Sequence, residues 1–81
     1  MKIRVKFYSQ LRDLAGAPES DVDLSEKGTV ADLLEKIYAG VPALRALDKS
    51  ILVAAGVEFV DRNYEVKATD EISIMPPVQG G

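Results

Sequence analysis

The 81-residue sequence has neither cysteine nor histidine. Without cysteine there are no disulfides, no thiolate nucleophile and no cysteine-held zinc or iron–sulfur centre. Without histidine, the commonest general base and the commonest nitrogen ligand for metals are missing as well. Chemistry is left to carboxylates, hydroxyls, amines and the chain ends, and no bound cofactor or metal is expected. Long apolar runs are also absent: none approaches the roughly 20 residues needed to cross a bilayer. Residues 1–6 alternate basic and apolar side chains and lack the apolar stretch of a signal peptide. The expectation is a cytoplasmic protein with no membrane partner. Nor is there a cationic surplus. The net charge is −3 and the pI about 4.8, which argues against a nucleic-acid partner, since binding phosphate backbones needs excess Lys and Arg.

What is present is ordinary for a globular domain. At 47% hydrophobic and 28% charged residues the chain can form a core, and its length gives one domain with no deep enclosed substrate pocket. Any catalysis is then shared with a partner.

Residues 2–8 alternate, with Ile3, Val5 and Phe7 on one face and Lys2, Arg4, Lys6 and Tyr8 on the other, which predicts a half-buried strand. The basic residues of that strand read as a solvated face beside acidic neighbours. Leu11, Leu14 and Ala15 fall at helical spacing before Gly16 and Pro18, so a short helix or turn is expected over residues 9–16. Val22 and Leu24 mark a second strand over residues 21–24, returning beside the first.

Thr29 stands three residues before Asp32, a helix-start pattern, and Val30, Leu33, Leu34 and Ile37 then form one apolar stripe, with Gly40 in the position of a C-terminal stop. Pro42 opens a shorter piece reaching about residue 49, where Leu44 and Leu47 would cover an open end of the core. The apolar run 51–55 before Gly56 predicts a buried strand, residues 57–60 a short strand, and residues 61–63 a turn. Residues 71–75 alternate again with Ile72 and Ile74 inward, until Pro76 and Pro77 end ladder bonding. The order is that of an α+β fold, a mixed sheet with one main helix packed on one face. Residues 1–75 form the expected domain and 76–81 a flexible C-terminal tail.

That tail, Pro76, Pro77, Val78, Gln79, Gly80 and Gly81, is the candidate chemical site. The proline pair restricts the backbone to an extended course, while Gly80 and Gly81 carry no side chains and end in a carboxylate. Such a segment suits a narrow channel in another protein. A frayed terminus is the plain alternative, but it does not account for a stiff pair placed before a terminal glycine pair.

The ending MPPVQGG, preceded by Asp70, Glu71 and Ile72, resembles the terminus of molybdopterin synthase small subunits, sulfur carriers of the ubiquitin-like β-grasp type. The stretch Phe7, Tyr8, Ser9, Gln10, Leu11, Arg12, Asp13, Leu14, Ala15, Gly16 resembles the same family. So do Thr29 with Val30 and the run 52–56, and the resemblance covers essentially the whole chain. The departures are Met75, where an aromatic residue is frequent, and Ala55, Gly56 and Val57, where asparagine is frequent; they bear on which partner fits.

The resemblance implies that an ATP-dependent, E1-like activating enzyme adenylates Gly81 and that sulfur replaces AMP to leave a thiocarboxylate. The loaded tail would then serve as co-substrate in a larger synthase subunit, giving its sulfur to cyclic pyranopterin monophosphate. On this expectation the chain is no enzyme by itself. Tyr8 and Met75 oppose the inward faces of their strands and are expected to be exposed, so they are docking candidates. Phe59 is a third candidate, with core packing as its alternative, and Arg12 a fourth, with a weak local ion pair as its alternative. Glu19, Asp21, Asp23 and Glu26 read most simply as a solvated edge, with complementarity to a basic partner as the alternative. Rival readings are a carrier for thiamine or tRNA thiolation, a ubiquitin-like protein modifier, or a plain interaction domain with an inert tail.

Overall fold

In the computed structural model, which describes residues 1–77, the alternation in the sequence becomes five strands of one sheet. They are β1 (Lys2–Phe7), β2 (Glu19–Asp23), β3 (Leu52–Ala55), β4 (Glu58–Val60) and β5 (Glu71–Met75), in the order β2-β1-β5-β3-β4. β1 pairs antiparallel with β2 and parallel with β5, so the first and last strands lie side by side at the centre. β3 pairs antiparallel with both β5 and β4. The predicted strand positions hold with end shifts of one or two residues: β1 stops at Phe7, β2 begins at Glu19 and β3 begins at Leu52.

The helix α1 (Gln10–Ala15) follows β1 at once and ends on Gly16, whose φ of 76° lets its N–H close on the Arg12 carbonyl at 3.0 Å. Ser9, at the junction, has φ 55° and ψ −135°, a backbone region normally left to glycine. The main helix α2 (Val30–Gly40) packs Val30, Leu33, Leu34, Ile37 and Tyr38 on the inner face of the sheet. There they meet Ile3, Val5 and Phe7 of β1, Val53 of β3, and Ile72 and Ile74 of β5, all nearly or fully buried.

The donors of the first turn of α2 are all engaged, so the helix start leaves none of them without a protein partner. Thr29 Oγ1 accepts from the Asp32 N–H at 3.3 Å, and Asp32 Oδ2 accepts from the Thr29 N–H at 3.0 Å. The Val30 and Ala31 N–H groups donate to the carbonyls of Tyr64 and Arg62, at 2.9 and 3.0 Å, supplied by the loop after β4. At the other end the expectation for Gly40 fails. It is the last helical residue, and the Val41 N–H closes the helix on Ile37 at 2.8 Å; Pro42, which has no N–H to offer, sets the limit.

Pro42–Ser50 forms a 3₁₀ helix that covers the open end of the core with Leu44, fully buried, and Leu47, partly buried. Asp61 to Asn63 is the expected turn, closed by the Asn63 N–H on Asp61 Oδ1 at 2.8 Å. β3 and β4 join through Gly56 and Val57, of which only Gly56 has positive φ, at 63°, as in a II′ hairpin turn.

Candidate functional site

β5 ends at Met75, and Pro76 and Pro77 lead the chain off the sheet. Pro76 is half-buried and Pro77 exposed, and together with Gln10, Leu11, Leu47, Ser50 and Ile51 they line a small cleft. The exit of the tail is thus held between α1 and the end of the 3₁₀ helix. Val78, Gln79, Gly80 and Gly81, which carry the expected chemistry, lie outside the described residues.

Beside this exit is the outer face of the sheet, the side that α2 leaves uncovered. Strand register sets its rows. One row runs Phe59, Ala54, Ser73, Lys6, Glu19 across β4, β3, β5, β1 and β2. In the next, Leu52 pairs with Met75, and Tyr8, one residue past the Phe7–Ile74 pair, flanks it with its N–H on the Ile74 carbonyl at 3.2 Å. Ala54 and Ser73 are small, and larger neighbours shelter them to 6% and 8% exposure. Phe59 and Lys6 stand on either side of this pair of small residues.

Tyr8 at 44% and Phe59 at 67% exposure present apolar area here without a partner, which settles Phe59 as surface rather than core. Met75 departs from the expectation of exposure: it is half-buried, because it stands on a central strand with Leu52 to one side and Tyr8 to the other. Arg12 is exposed on α1, off the sheet, and makes no ion pair with any described residue. It follows Gln10 and Leu11 in α1 but is not among the residues that line the tail exit.

The polar border is paired. Lys6 Nζ meets Glu71 Oε1 at 3.1 Å, and this hydrogen bond, followed by the Glu71 charge, raises the lysine above its usual pKa. Arg4 bridges Glu19 at 3.6 Å and Asp21 at 3.5 Å, so two members of the acidic edge have local partners. Exposed pairs like these contribute little to stability and exchange partners easily. Among the described residues no group of three or more Asp, Glu, His or Cys side chains is placed to hold a metal ion, and no helix is long and apolar enough to cross a membrane.

Sequence reasoning passed over Ala54, Ser73 and Leu52. The alternation of β5 and β3 put them on the outer face, but only their pairing made them one floor. It also passed over Tyr38, which lies outside the i, i+3, i+4, i+7 stripe yet is 2% exposed.

A family model described as the ThiS family matches residues 5–81. The chain belongs to the ThiS family. This ThiS-family chain is 34% identical over 83 residues to the molybdopterin synthase sulfur carrier subunit of Chlamydomonas reinhardtii, with 100% of each covered. Its fold, the ubiquitin-like β-grasp, matches a putative molybdopterin converting factor, subunit 1, from Pyrococcus furiosus, with TM-score 0.87 and 28% identity over 96% of this chain and 99% of that one. It also matches the small archaeal modifier protein 1 of H. volcanii, with TM-score 0.83 and 25% identity over 95% and 98% of the two chains.

Proposed function

We propose that this ThiS-family chain is the sulfur-carrier subunit of a molybdopterin synthase, acting in the cytoplasm through the carboxylate of Gly81. The observation that carries the reading is the end-to-end likeness to a curated carrier subunit in a chain whose sequence finishes on Gly80 and Gly81. A carboxylate resists attack because its charge repels nucleophiles and oxide is a poor leaving group, so activation comes first. An ATP-dependent, E1-like enzyme joins the Gly81 carboxylate to AMP with release of pyrophosphate. A persulfide sulfur then attacks the acyl carbon and expels AMP, and a second thiol of the sulfur-delivering protein attacks the resulting acyl disulfide, forming a disulfide there and releasing the thiocarboxylate.

The tail, Pro76 through Gly81, next enters the larger synthase subunit, whose active site transfers the sulfur to cyclic pyranopterin monophosphate. Water at the acyl carbon restores the carboxylate. Tyr8, Phe59 and Met75 form the docking face in this scheme, and Arg12 meets the partner from α1. The support is physical. Tyr8 and Phe59 expose apolar area on the sheet face beside the point where the tail leaves β5.

The likeness to an archaeal modifier protein favours a second reading, in which the same adenylate passes to lysines of target proteins. Sulfur delivery for thiamine or tRNA thiolation is a third. Intact-mass analysis after incubation with activating enzyme, ATP and a sulfur donor separates a sulfur carrier from a modifier and leaves the pathway to the identity of the sulfur acceptor. The expected result is a gain equal to exchanging one oxygen for sulfur, localised to Gly81 by fragmentation. An unmodified chain under those conditions overturns the carrier reading, and isopeptide conjugates without thiocarboxylate move it to the modifier.

A further inference from the structure

β2 is an edge strand, and its register with β1 decides what the open edge offers. Met1 and Leu24 exchange backbone hydrogen bonds, the Met1 amine donating at 2.7 Å and the Leu24 N–H at 2.8 Å, and the Phe7 N–H donates to the Pro18 carbonyl at 2.9 Å. Counting by twos between these closed pairs, Val22 and Ser20 also turn their backbone groups toward β1. The N–H and C=O groups of Glu19, Asp21 and Asp23 therefore point away from the sheet, toward solvent. Alongside this edge runs an open groove of about 450 Å³ between β2 and α2. Its walls mix apolar side chains, Phe7, Ala15, Val22, Ile37 and Val41, with the charged Lys36 of α2 and the acidic residues of β2, and Gly40 leaves a gap in which an added Cβ meets nothing within 4 Å.

We propose that this groove takes an extended segment of a protein partner by strand addition, one whose apolar residues alternate with Lys or Arg. Backbone groups of the segment pair with those of Glu19, Asp21 and Asp23, and alternate side chains drop into the groove beside Val22 and Ile37. The remaining side chains fall on the outer face next to the carboxylates of the same three residues, which selects positive charge. Arg4 occupies two of those carboxylates only at 3.5 and 3.6 Å with all the groups exposed, so an incoming cation can share them. A second copy of this chain is disfavoured, because antiparallel pairing of two β2 edges brings Glu19, Asp21 and Asp23 against themselves. The groove is built from β2 and α2, and does not depend on what Gly81 carries.

The test uses the full chain and two synthetic peptides of about eight residues, one alternating Val with Lys and the other Val with Glu. Amide NMR shifts of the protein report where each peptide binds, and titration gives the affinity. The expected result is saturable binding of the lysine peptide at Glu19 to Asp23 and along the groove-facing side of α2, weakened by salt. Asp21→Pro removes an outward N–H at an edge position that tolerates proline, and Gly40→Leu fills the gap from the helix side; each loses about tenfold or more in affinity. Asp21→Asn, which keeps the N–H, loses less than Asp21→Pro. Equal binding of the two peptides, shifts centred on Tyr8 and Phe59, full affinity in both Asp21→Pro and Gly40→Leu, or self-association through this edge would each overturn the proposal.

Discussion

Tyr38→Phe removes one oxygen from the inner side of α2, and the structure sets what that oxygen holds. The ring is buried, its hydroxyl donates to Asp48 Oδ1, and the hydroxyl joins α2 to the 3₁₀ helix. Asp48 is held from a second side: Arg62 approaches its carboxylate at 3.8 Å and donates to the Asp48 and Ile51 carbonyls at 2.7 and 3.2 Å. A hydrogen bond to a charged acceptor contributes about 1.5–3 kcal/mol. Asp48 keeps Arg62 and is only half-buried, so water can take the vacant position and the loss falls near the lower end, about 1.5 kcal/mol. For a domain of this size each kcal/mol corresponds to about 4–8 °C in Tm. Burial, then the bond to Asp48, holds the Tyr38 hydroxyl well above the ordinary tyrosine pKa. A folded-state pKa above the unfolded one makes a stabilising contribution that is complete below the unfolded value, about 10, and is lost as pH rises toward the folded value. Urea melts of wild type and Tyr38→Phe across pH 7 to pH 12 should show a gap that is constant up to about pH 10 and shrinks above it, with unchanged m. A gap below about 0.5 kcal/mol at pH 7, which is the scale of an inert surface change, or a gap that persists undiminished at high pH, would refute the assignment.

Other substitutions probe different parts of the fold. Gly28→Ala sets a Cβ 2.6 Å from Leu24 Cγ and 2.9 Å from the Ser25 carbonyl oxygen, so chemical denaturation should show a loss of about 1–3 kcal/mol. Ser9→Gly relieves the backbone at φ 55° and ψ −135° and should raise stability by about 1 kcal/mol, measured as a higher urea midpoint at equal m. Phe59→Ser exposes no core and should leave Tm within about 2 °C of wild type, while affinity for the larger synthase subunit, read by calorimetry, falls by about tenfold or more.

Elements whose cause is local were legible in the residues. The stripe from Val30 to Ile37, the Thr29–Asp32 cap, the alternation of β1 and β5 and the break at Pro76 each depend on neighbours within a turn of helix or a strand length. Periodicity and capping act over that range. The proposal for Gly80 and Gly81 rests on the sequence alone: with cysteine and histidine missing, a proline pair followed by two glycines is what stands out as a candidate for chemistry. Gly40 misled because proximity to a helix end identifies a glycine stop only when no following proline enforces the limit first.

By itself the sequence determined the kinds of element, their order and their inward faces. Tertiary structure alone decided which strands became neighbours. The parallel pairing of β1 with β5 joins residues near the two ends of the described chain, and from it follow the central place of Ser73 and the half-burial of Met75. The same holds for Arg62 and Tyr64, whose carbonyls close a helix start some thirty residues earlier, and for Tyr38, buried by Asp48 and the 3₁₀ helix rather than by its own stripe. It also made β2 an open edge, because no local pattern in residues 19–23 states that a strand lacks a second neighbour. These features rest on contacts between residues distant in the chain, and their energies do not exist until the whole sheet has closed around α2.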